Sequence, residues 1–412
     1  MNRGKKRLPT DAATSERKGI QKMTQNELCL IKESGSGKLF NTGDDKIRVL
    51  QLQGSWREMG QQYGTLVKDL VDEIYELTVQ ALYDKKWTTE EEASELFGAR
   101  VLRAASTRRQ QLYRGVADGL GWPVEKVVVL DQSGFMSFYQ AKLHSFAGCT
   151  TLFSWGDATV DGRTYTGRNQ DWGEQFVDLP LVLTVYNPTD GSNAIANMNW
   201  LGWMFGMTAI NDKGVYIDLH DGSAMGGQVV ATERPSIGAA VLDFLAECDT
   251  AEDVGNRFNG SRPDICLIWD VADPSGNCFS YETTLNECRR RFPEDTTLVA
   301  VNSFLNPDWG IHTRDTISNS LKRFQNITDR AAEAHGHIDA EKTKEIFDIP
   351  LFNEDGTFKE KGGATKPTVQ DADLTNYQMV TIPGSLDIWI KIPVPALQTD
   401  WRHVDLKKLF TS

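Results

Sequence analysis

The spacing of apolar residues changes along the chain near residue 149. Before that point, apolar residues recur at helical spacing over about 58–83, 90–114 and 123–141, which predicts three helices with one buried face each. A single stretch in this part, Ile47–Leu52, alternates between apolar and polar residues and predicts a strand. The first third of the chain is therefore predicted to be mainly helical.

After residue 149, short strand-like runs replace the long helical patterns. Asp161-Gly162 separates the first two runs and is a strong hairpin signal. Ser236 is predicted to cap a helix that continues to Cys248, and two more helices are predicted over about 313–330 and 340–348. This order of elements predicts an α+β fold with sheets covered by helical layers. The predicted strands are Thr151–Trp155, Arg163–Thr166, Leu181–Tyr186, Gly214–Leu219, Ile265–Val271, Thr297–Val301, Gln378–Ile382 and Leu386–Ile392.

The composition is that of a globular protein with a large core. The chain has 412 residues, of which 40% are hydrophobic and 25% are charged. Mean hydropathy is -0.40, and no apolar run approaches the roughly 18 residues that a membrane span requires. The formal net charge of -13 disfavours binding to a phosphate backbone. We therefore expect neither a membrane nor a nucleic acid as a partner.

A basic tail at residues 1–22 departs from this acidic average. It holds seven Lys or Arg residues against Asp11 and Glu16, which gives a local charge of +5. Such a tail is able to contact nucleic acid or lipid, but a disordered extension, with Met23 as the effective start, is the favoured interpretation. No apolar segment follows the basic residues, so a secretory signal is not predicted.

The cysteines and histidines give no sign of a metal or another cofactor. Six cysteines are scattered without a CxxC pair, and none of the six histidines belongs to an HExxH motif. Glycine-rich loops for nucleotide phosphates are also absent from the sequence. We expect a protein without cofactor or metal, located in the reducing cytoplasm.

Two short polar segments carry the most informative chemistry. Gly148-Cys149-Thr150-Thr151 lies where helical sequence gives way to strand sequence, and Gly167-Arg168-Asn169-Gln170-Asp171-Trp172 follows about twenty residues later. A lone cysteine is most often a buried core residue. An Arg-Asn-x-Asp pattern alone is most often a turn with a surface ion pair. Together, in this order and at this spacing, the two segments resemble a known family, and that resemblance favours a nucleophilic cysteine instead.

Together with further motifs, these segments resemble the cysteine N-terminal-nucleophile hydrolases, which include penicillin V acylase and choloylglycine (bile salt) hydrolase. Within that group the chain is most similar to the branch of the acyl-coenzyme A:6-aminopenicillanate acyltransferase. The resemblance covers about 47–395. The further motifs are Gly54-Ser55-Trp56-Arg57-Glu58-Met59-Gly60, Gly115-Val116-Ala117-Asp118-Gly119, Ile210-Asn211-Asp212-Lys213-Gly214-Val215, Val301-Asn302-Ser303-Phe304 and Ser320-Leu321-Lys322-Arg323-Phe324.

The resemblance implies a precursor that is cut between Gly148 and Cys149. Residues 23–148 would then be a mostly helical pro-segment or small subunit. Residues 149–412 would be the catalytic large subunit, and the two processed chains would stay associated. The resemblance also implies the four-layer αββα sandwich of N-terminal-nucleophile hydrolases, in agreement with the predicted order of elements.

The chemistry implied by the resemblance places the base on the nucleophilic cysteine itself. A thiol with a pKa near 8.5 needs a base, and cleavage would free an α-amine with a pKa of about 8 on the same residue. Asp171 would hold that amine, and Arg168 would favour the thiolate. Asn302, together with a backbone N–H near Asn211, would donate to the oxyanion. Arg323 would brace the site by pairing with a carboxylate.

Residues for substrate recognition are less clearly indicated by the sequence. Trp172, Trp200 and Trp203 are candidates for an acyl pocket, although packing is the commoner fate of tryptophan. The segment Asn197–Trp203 is predicted to be a substrate-facing loop. His220-Asp221, which follows a predicted strand, is interpreted as structural.

The favoured function is an autoprocessing N-terminal-cysteine amidohydrolase that cleaves a small-molecule N-acyl amide through an acyl-thioester on Cys149. Three alternatives stay open: acyl transfer to an amine, a non-catalytic binding scaffold of the same fold, and a papain-like cysteine protease with a histidine paired to Cys149. The sequence leaves the acyl and amine parts of the substrate undefined. A homo-oligomer is equally open.

Overall fold

The computed structural model describes residues 28–43, 46–136, 148–227, 229–309, 319–395, 397 and 400–411. The basic tail predicted at 1–22 lies outside these residues, and so do parts of the helices predicted over about 123–141 and 313–330. The described residues contain two β-sheets and the helices that cover them.

Ten strands form the larger sheet, which combines the N-terminal part of the chain with strands from beyond Cys149. In spatial order they are β1 (Cys29–Ser34), β2 (Gly37–Asn41), β3 (Ile47–Gly54), β6 (Leu181–Pro188), β7 (Ile195–Trp200), β8 (Thr208–Asn211), β9 (Tyr216–Asp221), β10 (Leu267–Ala272), β11 (Cys278–Thr283) and β12 (Cys288–Arg291). Neighbouring strands are antiparallel except β3 and β6, which run parallel from the pair Ile47↔Leu181 to the pair Gly54↔Pro188.

The smaller sheet has six antiparallel strands and begins with the candidate nucleophile. Its spatial order is β13 (Thr297–Ala300), β4 (Cys149–Gly156), β5 (Gly162–Trp172), β14 (Leu374–Ile382), β15 (Asp387–Lys391) and β16 (Arg402–Asp405). The hairpin predicted at Asp161-Gly162 connects β4 and β5 and is confirmed. β5 is paired on both sides, with β4 and with β14, so its polar side chains lie inside the molecule.

Helices cover the outer face of each sheet. On the larger sheet lie α1 (Trp56–Tyr75), α2 (Ala81–Asp84), α3 (Glu90–Ala93), α4 (Arg100–Ala104), α5 (Thr107–Leu120), α6 (Val124–Met136), α8 (Ile237–Glu247) and α9 (Ala251–Asn259), with α7 (Ser223–Gly226) as a single turn after β9. On the smaller sheet lie α10 (Ser320–Glu333) and α11 (Ala340–Phe347). The sheets contact each other through β4 with β9 and β11 with β13. The predicted α+β class with a four-layer αββα sandwich is confirmed.

Within the described ranges, no helix combines the length and the apolar content that crossing a membrane requires.

Glycine residues allow a close contact between helices α1 and α5. A Cβ atom on Gly60 would lie 2.2 Å from the carbonyl oxygen of Leu112, and one on Gly115 would lie 2.0 Å from that of Arg57. Side chains larger than hydrogen at these positions would force the helices apart. Two of the motifs that carry the family resemblance, around Gly60 and Gly115, are therefore explained by packing rather than by chemistry.

Two sequence-based predictions of local structure are wrong. The helix predicted over about 90–114 is interrupted at Ala105, because Ser106 caps a new helix by accepting a hydrogen bond from the Arg109 N–H. The loop predicted at Asn197–Trp203 is in large part strand β7, whose Asn197 side chain donates to the carbonyl of Phe205 at 3.0 Å. The strands that the sequence analysis did not predict are β1, β2, β7, β8, β11, β12 and β16.

Candidate active site

Cys149 is the first residue of β4, and its thiol is held between two polar side chains of β5. The register pairs Cys149 with Gln170 and Thr151 with Arg168, so these side chains share the face that points to the larger sheet. The thiol donates to Gln170 Oε1 at 3.6 Å, and Arg168 Nη2 donates to Cys149 Sγ at 3.7 Å. Gln170 was not a predicted site residue, although its position two residues after Arg168 places it on the same face.

The surroundings of Cys149 favour the neutral thiol over the thiolate. Only 1% of the residue is exposed, and this burial raises the pKa of Cys149 to about 12, although Arg168 and Arg323 act in the opposite direction. Arg168 lies close enough to lower the pKa of the thiol, but the effect of desolvation is larger. Attack by this sulfur requires a base or a change in its surroundings.

The peptide bond between Gly148 and Cys149 is held on both sides. The backbone N–H of Asp171 donates to the carbonyl oxygen of Gly148 at 2.8 Å. The backbone N–H of Cys149 donates to Asn302 Oδ1 at 2.7 Å. The resemblance implied that Asp171 holds the free amine of Cys149 and that Asn302 donates to the oxyanion. In this structure Asn302 instead accepts from the Cys149 nitrogen, and the backbone of Asp171 binds the Gly148 oxygen.

Arg323 reaches Cys149 from helix α10 with a fully buried guanidinium. Its Nη1 donates to the carbonyl oxygen of Cys149 and, at 2.8 Å, to Thr150 Oγ1. Its Nη2 donates to Asn302 Oδ1 at 3.1 Å, and its Nε donates to Asn319 Oδ1 at 2.6 Å. Arg323 therefore braces the site through carbonyl, hydroxyl and amide oxygens, where a carboxylate partner was expected.

Behind Arg168 lies a buried charged group on the larger sheet. Arg168 Nη1 is 3.2 Å from Asp218 Oδ1, and His220 Nε2 is 3.3 Å from that oxygen and 2.9 Å from Asp270 Oδ2. Burial lowers the pKa of His220, but Asp270 and Asp218 outweigh it and raise the pKa above its usual value. Two carboxylates and an imidazole are suitable ligands for a metal cation. Here the guanidinium of Arg168 already supplies a positive charge to the Asp218 carboxylate.

A second group of charges surrounds Gly148 on the opposite face of β5. Lys366 Nζ lies 3.3 Å from Asp171 Oδ2 and forms an ion pair with Asp373, whose other oxygen accepts the Gly148 N–H at 2.8 Å. Thr375 Oγ1 donates to Asp171 Oδ1 at 2.7 Å. Lys366, Asp373 and Thr375 were not predicted, because each lies far along the sequence from the Gly148 and Asp171 groups that it surrounds. Asp373 is 225 residues from Gly148, and Thr375 is 204 residues from Asp171.

Two cavities that share lining residues lie at and near Cys149. The inner cavity, of about 20 Å³, is lined by Cys149, Gln170, Trp172 and Asp221, and has room for one water molecule. The outer cleft, of about 600 Å³, shares Trp172 with it. Residues of the outer cleft also include Phe176, Trp203, Ala372 and Asp373. Its volume is in the range of small-molecule binding sites.

Two predicted site residues have their contacts elsewhere. The Asn211 side chain donates to the carbonyls of Leu245 and Cys248 at the end of α8, and its backbone N–H donates to Val215. Trp200 is 1% exposed and donates from Nε1 to the carbonyl of Phe176. It packs behind Trp172 and Trp203 and is not among the residues that line either cavity.

Comparison with known proteins gives distant relatives. The chain matches no family model. It is 26% identical over 214 residues to protein dcd1B of Dictyostelium discoideum, and 23% identical over 361 residues to an uncharacterized protein of Archaeoglobus fulgidus. These matches cover 45% and 76% of this chain. They span 41% and 59% of the two relatives, less than two thirds of the length of either.

Solved structures show a partial likeness. A Caenorhabditis elegans ortholog of N-acylethanolamine-hydrolyzing acid amidase is 15% identical, with a TM-score of 0.41, over 57% of this chain and 93% of that one. Penicillin V acylase from Agrobacterium tumefaciens is 13% identical, with a TM-score of 0.41, over 64% and 88% of the two chains. A variant of the conjugated bile acid hydrolase from Clostridium perfringens is 12% identical, with a TM-score of 0.42, over 63% and 93%.

Proposed function

We propose that the chain is an autoprocessing N-terminal-cysteine amidohydrolase that cleaves the amide bond of a small N-acyl substrate. One observation carries the proposal: the peptide bond before Cys149 is held at its carbonyl by the Asp171 N–H and at its nitrogen by Asn302, with the thiol of the same residue beside Arg168. Buried backbone groups are paired in any fold, but here they fix the carbonyl and the nitrogen of the bond next to a thiol that two arginines surround. This arrangement supports attack by the thiol on the Gly148 carbonyl.

Self-cleavage follows as an exchange of bonds at one carbon. Cys149 Sγ forms a bond to the Gly148 carbonyl carbon, and the bond from that carbon to the Cys149 nitrogen breaks. The thiol proton ends on the nitrogen, which becomes the free α-amine. The Asp171 N–H stabilises the negative charge that develops on the Gly148 oxygen. Water then hydrolyses the thioester, releasing Gly148 as a carboxylic acid and restoring the thiol.

The mature enzyme would repeat this chemistry on its substrate. The free α-amine of Cys149, with an ordinary pKa of about 8, takes the thiol proton and passes it to the leaving amine. The acyl group stays on Cys149 as a thioester until water attacks. The inner cavity, with room for one water beside Cys149, supports hydrolysis. Acyl transfer would require an amine at the same position.

Intact mass after expression tests the proposal. The wild-type chain is expected to yield a fragment of 264 residues that begins at Cys149, whereas Cys149→Ala stays at 46.1 kDa. The processed protein is then incubated with a panel of N-acyl amides, and amine release and the acyl adduct on Cys149 are measured. An uncleaved wild type, or amide turnover by Cys149→Ala equal to that of the wild type, would contradict the proposal.

The fate of the acyl group separates hydrolysis from transfer. Hydrolysis predicts a free carboxylic acid whose formation is unchanged when a second amine is added. A new amide at the expense of the acid would identify an acyltransferase. A protein that is cleaved at Cys149 but releases no amine from any substrate of the panel would fit the scaffold alternative.

A further inference from the structure

The surroundings of Gly148 form a built site for the residue that carries the scissile carbonyl. The Gly148 N–H donates to Asp373 Oδ2 at 2.8 Å, and Asp373 is ion-paired with Lys366. Lys366 also lies 3.3 Å from Asp171 Oδ2. All three charged side chains are at most 2% exposed. Buried charges of this kind need specific partners, and here one of the partners is a backbone N–H of the chain's own cleavage site.

The site also limits the size of the residue that it holds. A Cβ atom on residue 148 would lie 2.9 Å from Lys366 Nζ and 3.0 Å from both Asp171 Oδ2 and Asp373 Oδ2. Each of these atoms is fixed by a buried ion pair or a hydrogen bond, so none is a freely moving end of a side chain. The site therefore accepts a glycyl residue and disfavours one with an L side chain.

The segment that presents Asp373 is locked into position. Asp371 and Ala372 have φ angles of 51° and 70°, which are uncommon for residues with a side chain. Asn319 Nδ2 donates to Asp371 Oδ2 at 2.8 Å, and Asn319 also binds Arg323. The Asp373 carboxylate is thereby tied to the same framework that braces Cys149.

Self-cleavage and substrate turnover share one covalent state. In the proposed function, both pass through a thioester in which an acyl group is bound to Cys149 Sγ and the α-amine is free. In the first thioester the acyl group ends in the glycine held by Asp373. Once that glycine leaves, its site next to residue 149 of the chain is available to the acyl group of a substrate. Ala372 and Asp373 line the outer cleft, which places the site within reach of small molecules.

We propose that Asp373 and Lys366 form the acyl-residue subsite of Cys149 and select substrates whose acyl group is an N-acylated glycine. Asp373 accepts the N–H of that glycine, as it does from Gly148. The outer cleft, with Trp172, Phe176 and Trp203 among its lining residues, takes an apolar N-acyl chain. This inference rests on the proposed function, and it assigns Asp373 as a specificity residue rather than a catalytic one.

The first test uses three substrates that differ at one group. The processed wild type is assayed with N-octanoylglycyl aminomethylcoumarin, its L-alanyl analogue, and a keto isostere in which CH2 replaces the glycine N–H. We expect kcat/KM for the glycyl substrate to exceed that of each analogue by about tenfold or more. The isostere loses the charge-assisted hydrogen bond to Asp373, and the Cβ atom of the L-alanyl analogue does not fit the site. Equal values for the glycyl substrate and the isostere would overturn the subsite.

Asp373→Ala shows whether this residue causes the discrimination. The ratio between glycyl substrate and isostere is expected to fall close to one, even where overall activity declines. Asp355→Asn, at an exposed turn, is the matched control and should keep the wild-type ratio. An unchanged ratio in Asp373→Ala, with wild-type thermal stability, would overturn the assignment.

Self-cleavage of the full chain gives a readout that needs no added substrate. Gly148→Ala and Asp373→Ala are expected to slow the appearance of the 264-residue chain by about tenfold or more relative to wild type and Asp355→Asn. If the wild type is cleaved and both variants keep its rate, the subsite is refuted while the proposed function stands. If the wild type itself is never cleaved, the proposed function fails and the subsite fails with it.

Discussion

The polar network around Arg168 and the aromatic cluster around Trp172 adjoin the same cysteine but are held together in different ways. Arg168 is fixed by individual atoms of Asp218, Gln170 and the Leu219 carbonyl. Trp172 is fixed by ring contacts with Phe176, Trp200 and Trp203, at centroid distances of 5.7–6.2 Å. The first arrangement depends on contacts between individual polar atoms, whereas the second distributes its contacts over wide surfaces.

This difference predicts unequal tolerance to substitution. Removing one member of a buried ion pair leaves its partner charged and unsolvated, and the cost is several kcal/mol. Replacing one aromatic ring by another keeps most of the contact area, so the loss of free energy is only a fraction of that for a broken ion pair. Substitutions in the polar network should therefore cost more free energy than substitutions in the aromatic cluster.

Arg168→Met is expected to have the largest effect. It leaves the carboxylate of Asp218 buried without its guanidinium partner, so the free energy of unfolding should fall by about 3–5 kcal/mol in denaturant titration. The double variant Arg168→Met with Asp218→Asn should recover part of this loss. Arg163→Met, on the exposed end of the same strand, should stay within about 1 kcal/mol of wild type. Equal losses for Arg163→Met and Arg168→Met would contradict the comparison.

Asn302→Ala is expected to act on the rate. It removes the acceptor of the Cys149 N–H and an amide contact of Arg323, so the leaving nitrogen loses its buried partner and self-cleavage should slow by about 1–3 kcal/mol of barrier. Asn211→Ala is the informative counterpart, because that side chain binds the end of α8. It should lower the melting temperature and leave the cleavage rate of folded protein near wild type. A cleavage defect as large as that of Asn302→Ala would return Asn211 to the active site.

Asp221→Asn is expected to change the pH dependence of stability. Burial raises the pKa of Asp221 to about 6, against the lowering effect of its hydrogen bonds to Ser223. The folded state therefore binds more protons than the unfolded state between about pH 4 and pH 6. This contribution to stability is present below pH 4 and is lost as pH rises through 6. The melting temperature of the wild type should consequently fall over this interval relative to Asp221→Asn, by the equivalent of at most about 3 kcal/mol. Parallel profiles would show that Asp221 does not titrate there.

Trp203→Phe is expected to have the smallest effect. It keeps a ring at the wall of the outer cleft and loses one hydrogen bond, from Nε1 to Ser133 Oγ at 2.8 Å. KM for an N-acyl amide should rise by a few fold, equivalent to about 1 kcal/mol, with kcat nearly unchanged. Trp200→Phe, which lies behind the lining, should leave KM at the wild-type value. A loss of kcat in Trp203→Phe would place this side chain in the chemistry.

The comparison also explains which parts of the site were predictable from sequence. Cys149, Arg168 and Asp171 lie on two consecutive strands joined by a hairpin that Asp161-Gly162 indicates, so short-range pattern is sufficient to associate them. Lys366 and Asp373 meet Gly148 through pairing of β14 with β5, and nothing local in their sequence marks them. Such contacts depend on the strand order of the sheet, which periodicity does not specify.

Asparagine residues illustrate the same limit. Asn211 ends one short strand and Asn302 lies just after another, and both belong to motifs of the family resemblance. In the structure Asn302 contacts the Cys149 N–H, whereas Asn211 binds carbonyls of Leu245 and Cys248 at the end of a helix. The two residues share residue type and a similar local pattern, so their different roles follow from the groups that surround each of them in space.

The parallel pairing of β3 with β6 has a consequence for the two halves of a cleaved molecule. Scission before Cys149 would leave β1, β2 and β3 as one flank of the larger sheet, joined to the other fragment by an eight-rung ladder. Were this flank to detach, β6 would become a bare edge, open to aggregation. We therefore expect the fragments to migrate as one species in native chromatography at every dilution and to part only in denaturant. An affinity tag on either fragment should then recover both in equal amounts.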